Sequence, residues 1–456
     1  MDQIASTTVA ETLAASIAGV APGGLPRGVR AMAENMVLDI IGLCLAARRT
    51  DYIQAALDGT DGEGACTVIG HTRTLDSAGA ALVNGTAAHG EDFDDTFEGG
   101  PVHAGVVIAP ALFAAAERFK LDGAAALLGI AVGAEVTCRL SLVAPRMVHK
   151  AGFHPTCVFG AIGAAAGVGA ALKLPPRHLV DAMGLAGSMA SGIIEYLAEG
   201  SWSKRLHPGW AAQAGLRAAL LARQGFQGPR SVFEGTHGLF NGFARTTKGN
   251  YEKLTGGFGQ DWVAETIAFK PFACGTMTHP YIDCAIRLAK RGIKPDAIVE
   301  MVCEVGEGTV HRLWEPLAHK QAVPNAYSGK FSTPFCVAAG FLTGDCGLAA
   351  FTEDMVRDPA LRALAAKVRY VVDPNNPYPD NYTGHIRATL RDGTVVEERQ
   401  PHLRGGAHQP LSRAAIEAKF AANAAFGGWS AGQIDQALSL AKRLFDGPVD
   451  LSPLRG

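Results

Sequence analysis

The sequence predicts a mainly α fold, with a large all-helical domain built from both chain ends and a smaller α+β domain between them. Three observations carry that prediction. At 456 residues the chain exceeds the length at which one hydrophobic core keeps growing. Up to about residue 268 it reads as Ala-rich segments of 3.6 periodicity with almost no strand-like alternation. From Phe269 the texture changes to β-branched runs, and helical periodicity returns after Gly405-Gly406. The expected boundaries are therefore 1–268, 269–405 and 406–456.

The opening MDQIASTTVAETLAASIAGV has no basic stretch followed by a continuous apolar run, so it is expected to form the first amphipathic helix rather than a leader. Pro22-Gly23-Gly24 and Leu174-Pro175-Pro176 punctuate the helices that follow. The stretch Thr156 to Leu172 carries no charge, but Gly and Ala dominate it and supply too little transfer energy for a bilayer span. Its run Gly160 to Gly167 spaces small residues at helical intervals, which marks a close-packed central helix. In the second texture, Ile298 to Val305 and Val368 to Val372 read as strands. His385 to Glu398 alternates around the turn signal Asp392-Gly393. Helices are expected at about 281–292, 333–342 and 359–366, and then from Arg413 to Ala425 and Ser430 to Phe445, the last two packing back on the large domain.

Composition narrows the function. Hydrophobic residues make up 48% and charged residues 18%, which excludes a disordered chain. The net charge of −2 offers no basic field for a nucleic acid or an anionic membrane, so a small-molecule partner is expected. Nine cysteines stand at 44, 66, 138, 157, 274, 284, 303, 336 and 346, and none falls in a CxxC spacing. That argues against a zinc ribbon or iron–sulfur cradle and for a reducing, cytoplasmic setting in which each thiol is a small buried hydrophobe. There is no internal repeat, no GxGxxG after a strand and no GxxxxGK[ST]. A helical enzyme without these anion cradles works with side-chain acids and bases, so neither cofactor nor metal is expected.

Four segments stand out chemically. His89-Gly90-Glu91-Asp92-Phe93-Asp94-Asp95-Thr96, followed by His103, places four carboxylates within five residues, which repel unless something binds them. They would hold Mg²⁺ if a second acidic helix faced them, and no DDxxD-like partner exists; otherwise Asp92 and Thr96 line a pocket while the other acids bond helix N-termini or arginines. A solvated acidic turn is the plain alternative. Gly152-Phe153-His154-Pro155-Thr156 sets His154 before a helix with Pro155 at its first position, as an acid or base near neutral pH or as a cap. Ser203-Lys204-Arg205-Leu206-His207-Pro208-Gly209 is a cationic turn entering a buried helix, fit to receive a carboxylate or to pair with the acidic cluster. Lys270-Pro271-Phe272-Ala273-Cys274-Gly275-Thr276-Met277-Thr278-His279 joins the two textures and ends in a histidine at a helix mouth, positioned to close on a ligand. Lys330-Phe331-Ser332-Thr333-Pro334-Phe335 by itself reads as capping and core.

Together and in this order, NG-x-AAH-x-x-DFDDT, GFHPT, KRLHPG-x-AA, K-P-x-x-C-x-x-x-x-H-x-x-x-D and KFS-x-P resemble the MmgE/PrpD family over nearly the whole chain. That family includes dehydratases, decarboxylases and epimerases of small polycarboxylates. The resemblance implies a cofactor-free enzyme, commonly a homodimer, whose smaller α+β domain acts as a lid on the helical one. It implies site roles for Asp92, Thr96, His103, His154, Lys204 and His279, all present here. The tyrosine that the family carries after the FS motif falls on Phe335, so that hydroxyl is missing, and the Thr96 to His103 interval is one residue longer than in the decarboxylase branch. The expected chemistry is a carbanion or enolate beside a carboxylate. Lys204, with Arg205 and His207, would stabilise its charge, His103 and His154 would move protons, Asp92 and Thr96 would orient, and His279 would complete the site. Dehydration of a hydroxy di- or tricarboxylate is the leading expectation, followed by epimerisation and then decarboxylation.

Overall fold

The computed structural model describes residues 7–456; residues 1–6 of the expected N-terminal helix lie outside the described residues. That helix runs Val9–Gly19. Thr8 caps it by accepting from the Glu11 N–H, and the Glu11 carboxylate accepts from the Thr8 N–H in return. Helix covers 56% of the chain and strand 9%, so the fold is mainly α.

The chain divides into two compact units. One comprises the chain up to Gly90, Asp94–Ile267 and Arg413–Gly456; the other comprises Glu91–Phe93 and Ala268–Ser412. In the first unit every residue of the helix Pro155–Ala171 is buried, because its small side chains let neighbouring backbones come to contact. A Cβ on Gly163 would stand 2.7 Å from the carbonyl oxygen of Gly133 in the helix Gly123–Val143, an approach that only glycine permits. Gly123–Val143 is itself long and apolar enough to cross a bilayer, yet 94% of its most apolar window is buried against its neighbours, as in a core helix. The helix Ser203–Arg223 packs on Pro155–Ala171 and on Ser77–Gly90, where Gly85 and Gly209 meet backbone to backbone. Returning from the far end of the sequence, Arg413–Phe426 lies along Arg27–Ala47, and the buried pair Lys419–Asp39 (2.6 Å) locks the two.

The segment Ser203 to Gly209, expected as a turn, is the first two turns of Ser203–Arg223. Burial of His207, Pro208 and Gly209 against Ser77–Gly90 outweighs the backbone bond that Pro208 cannot donate.

The second unit holds a four-stranded sheet in the order Val368–Val372, Ile298–Val305, Gly384–Leu390, Val395–Gln400, the first pair parallel and the others antiparallel. Gly393, at φ 84°, closes the hairpin where Asp392-Gly393 signals it. The helices His279–Lys290 and Thr333–Thr343 pack on each other, the first also on the sheet's antiparallel strands, and Ser332 caps the second by accepting from the Phe335 N–H.

A Cβ added at Gly85 would lie 2.6 Å from the Gly209 Cα, atoms that cannot yield. Gly85→Val is therefore expected to destabilise the protein by more than about 3 kcal/mol in denaturant unfolding, beyond the usual range for overpacking. Gly432→Ala, in the helix Ala431–Lys442 with nothing within 4 Å of the added methyl, should stabilise it by roughly 0.5–1 kcal/mol.

Candidate active site

Four imidazoles gather in the first unit, and local structure explains how. Ser77–Gly90 delivers His89 at its C-terminal end. Three residues later the chain presents Asp94 and Asp95, both fully buried. The Phe97 N–H then donates to the Val102 carbonyl (2.9 Å), closing a tight loop that returns His103 beside the two aspartates. The His103 backbone N–H donates to Thr156 Oγ1 (3.1 Å), which ties this loop to the start of Pro155–Ala171. His154 occupies the N-cap of that helix with Pro155 at N1, and its N–H donates to the Gly192 carbonyl (2.7 Å). His207 reaches the cluster from the second turn of Ser203–Arg223.

The ring centroids are 5.0 Å apart for His89–His103, 5.7 Å for His89–His154 and 5.3 Å for His154–His207, and Tyr196 stands 6.0 Å and 5.7 Å from the last two. One carboxylate organises them. Asp94 Oδ2 lies 3.0 Å from Nδ1 of both His89 and His103, and His103 Nδ1 also donates to the Asp95 carbonyl at 2.7 Å. A carbonyl or an ionised carboxylate only accepts, so both imidazoles carry their proton on Nδ1 and turn the Nε2 lone pair outward, the orientation of a general base. His154 and His207 share a contact between their Nδ1 atoms at 3.2 Å, in which one ring donates to the other. Two buried atoms of the cluster, Asp94 Oδ1 and His89 Nε2, have no hydrogen-bond partner among the described residues, and this unused polar capacity suits a bound polar substrate.

Burial sets the charges. It pushes His89 down to about 4 against the pull of Asp94, and pushes His207 down to about 4 with help from His89 and Lys204. His154 is held well below the usual imidazole range by burial first, then by His89, His207 and Lys204. For Asp94 burial works the other way, but the charges and hydrogen bonds of His89 and His103 override it and hold the carboxyl well below its ordinary value. Asp95, whose carboxylate accepts from the Gly105 N–H at 3.0 Å, is pushed up to about 7 by burial and by its charged neighbour Asp94. The two adjacent aspartates are thus shifted in opposite directions from the same ordinary value. Donor atoms of His89, Asp94 and His103 also lie within 4.8 Å of one another, a two-imidazole, one-carboxylate set of the kind that divalent transition ions take; here the same imidazole nitrogens serve as hydrogen-bond donors.

Of the residues singled out from the sequence, His103, His154 and His207 come together, and Lys204, one turn before His207, is close enough for its charge to act on His89, His154 and His207. Thr96 is buried in the short strand Thr96–Phe97. Arg205 places its guanidinium over the Tyr52 ring at 4.3 Å, so one face of its fork stacks on an aromatic. Asp92 and His279 belong to the second unit. Asp92, in the left-handed region at φ 54°, has its Oδ2 3.4 Å from Lys270 Nζ, which also donates to the Asp92 carbonyl (2.8 Å). Glu91 pairs with Lys330 (3.2 Å), a lysine where an arginine or a helix end was expected, and Asp92, expected to line a pocket, is paired with Lys270; Asp95 does bond the N-terminal end of the helix Gly105–Phe119. His279 is fully buried at the start of His279–Lys290, with Nε2 donating to the Cys274 carbonyl at 3.1 Å. Sequence reasoning missed His89, Asp94, Asp95 and Tyr196 as members of the imidazole cluster. His89 and the aspartates stood in the acidic segment, but only their mutual distances reveal the bridge.

Comparison with known proteins agrees over most of the chain. Residues 11–252 match the MmgE/PrpD N-terminal domain and residues 272–441 the MmgE/PrpD C-terminal domain. A cis-aconitate decarboxylase of Mus musculus is 30% identical over 434 residues, covering 91% of this chain and 87% of that one. One of Homo sapiens is 30% identical over 438 residues, covering 91% and 88%, and a cis-aconitate decarboxylase-like protein of Aspergillus oryzae is 30% identical over 400 residues, covering 83% and 82%.

Asp94→Asn keeps the shape and removes the charge that orders two imidazoles, so kcat is expected to fall ~10²–10⁴-fold while near-ultraviolet circular dichroism stays native. The depressed imidazoles also tie stability to pH. Unfolded His89 and His207 take protons from pH 6.5 downward while the folded groups resist to about 4, so their contribution is full above 6.5 and is lost as pH falls through that window. Asp95 acts oppositely, losing stability as pH rises from 3.8 to about 7. Denaturant midpoints followed across this range should therefore fall less steeply on acidification in His89→Gln than in the wild type.

Proposed function

This chain belongs to the MmgE/PrpD family and is an enzyme of the lyase type, and on that premise we propose that it decarboxylates a small unsaturated tricarboxylate of the cis-aconitate class without cofactor or metal. The observation that supports this most is the Asp94 carboxylate set between His89 and His103, because it fixes which nitrogen of each imidazole meets the substrate. Lys204 and His207 receive a substrate carboxylate, with Arg205 as a second cation. The C–CO₂ bond breaks, its electron pair spreads through the adjacent double bond toward a remaining carboxylate, and an imidazolium returns one proton to carbon. Asp94 stabilises the imidazolium form of His103.

The resting imidazoles are poor proton donors when buried and neutral. A polycarboxylate brings the missing negative charge, raising His154 and His207 on binding and so loading the proton that the reaction consumes. Roles for Asp92, Thr96 and His279 as site residues enter through the family pattern. The relatives move decarboxylation ahead of the dehydration that the sequence placed first.

A second reading, dehydration of a hydroxy polycarboxylate by the same proton machinery, is favoured by position 335. Phe335 is buried and packs on Phe351 with centroids 5.8 Å apart, an apolar environment where the family's tyrosine hydroxyl is absent. We place the enzyme in the cytoplasm, where its nine buried cysteines, all free, stay reduced. Its partner is a second copy of the chain, since Leu206, Trp210 and Leu221 expose apolar surface along one helix, with Trp202 just before it.

Proton NMR in D₂O with cis-aconitate, citrate and 2-methylcitrate tests the chemistry. The expected result is CO₂ loss from cis-aconitate with one solvent deuterium per product; vinyl signals growing from a hydroxy acid would instead establish dehydration, and scrambled configuration epimerisation. No turnover of any acid would sink the proposal. His103→Gln and His154→Gln should each cut kcat ~10²–10⁴-fold with ligand affinity held within about tenfold, and activity should survive exhaustive chelation. Trp210→Glu is expected to shift the sedimenting species from dimer to monomer.

A further inference from the structure

The second unit contains a cluster that the function above does not use. Cys274, Cys336 and Cys346 are far apart in sequence and fully buried, and their sulfur atoms lie within 4.8 Å of one another. Backbone bonds hold them there. The Ala273 N–H donates to the Cys346 carbonyl and the Gly275 N–H to the Lys330 carbonyl, both at 2.9 Å, so Cys274 is pinned between the two strands of loop. Cys336 is fixed on Thr333–Thr343 by its own helix and directs its thiol at the Gly329 carbonyl (3.4 Å). Beside them Thr278 Oγ1 lies 3.1 Å from the Cys274 sulfur, and His279, fully buried, donates from Nε2 to the Cys274 carbonyl.

We propose that Cys274, Cys336 and Cys346 form a three-thiolate binding site for a thiophilic divalent cation of the zinc and cadmium class. Tetrahedral zinc with bonds of about 2.3 Å to sulfur needs sulfurs about 3.8 Å apart, a separation that lies inside the 4.8 Å bound on the three sulfurs here. Binding replaces three S–H bonds by three metal–sulfur bonds and releases three protons, leaving one net negative charge on the trithiolate complex. Lys330, whose buried Nζ donates to the carbonyl of Ala273 (3.2 Å) while it pairs with Glu91, holds a cation beside the Cys274 backbone. Three thiols drawn from separate stretches of sequence into one buried cluster match the sulfur donors of a structural metal site.

The test is titration of the reduced, metal-free protein with Cd²⁺, followed by X-ray absorption at the metal edge of the zinc-loaded wild type. One equivalent per chain is expected, with the ultraviolet charge-transfer band of cadmium–thiolate, and absorption fine structure that counts three sulfurs at about 2.3 Å for zinc. Cys336→Ala and Cys346→Ala should each weaken Cd²⁺ binding at least tenfold, and together remove the band. A first shell of nitrogen and oxygen alone would place the metal among imidazoles and carboxylates and overturn the proposal. So would an undiminished thiolate band in the double variant, or no binding at all. The absorption measurement needs no variant, so it decides the matter even where a substitution impairs folding.

Discussion

The first unit is organised around one carboxylate, Asp94, placed within 3.0 Å of two imidazoles in a region that water does not reach. A charge so buried costs several kcal/mol unless it is answered, and here the answer comes from N–H donors rather than from a lysine or arginine. The consequence passes outward through the network. Because His89 and His103 donate from Nδ1, their Nε2 atoms are left to exchange protons; because Asp94 stays ionised, its neighbour Asp95 is driven toward neutrality and holds the start of Gly105–Phe119 as a weaker acid.

That arrangement depends on backbones that approach unusually closely. The helices bearing His89 and His207 meet where Gly85 and Gly209 leave no side chain between them, and His154 stands at the mouth of a helix whose small residues seat it deep in the unit. Had larger residues held these helices at the usual 8–10 Å, the imidazoles would be too far apart to tune one another. Close packing of small residues, often read as a stability device, here also sets the electrostatics of the site.

The four acids between Glu91 and Asp95 show how little adjacency in sequence says about role. Glu91 and Asp92 are neutralised in the second unit by Lys330 and Lys270, residues more than 170 positions away, while Asp94 and Asp95 turn to histidines and a helix start in the first. The sequence presented them as one repelling cluster; the fold gives each a separate partner. The cysteines repeat the lesson from the opposite side, since three thiols with no local spacing converge in the folded unit.

Much was nonetheless legible beforehand. Periodicity and punctuation determined the mainly α class, the strands at Ile298–Val305 and Val368–Val372, the hairpin at Asp392-Gly393 and the helix starts at Pro155 and Thr333, because these depend on local propensity, caps and turns. Motif order determined the family, because that pattern is written in the residues themselves. The helical start of Ser203–Arg223 was missed because tertiary burial of His207 and Gly209 overrode a proline. The bridging of His89 and His103 by Asp94, the opposed shifts of two adjacent aspartates and the convergence of Cys274, Cys336 and Cys346 were decided by tertiary structure alone. Each depends on a distance between side chains or on their removal from water, and neither quantity exists until the chain has folded.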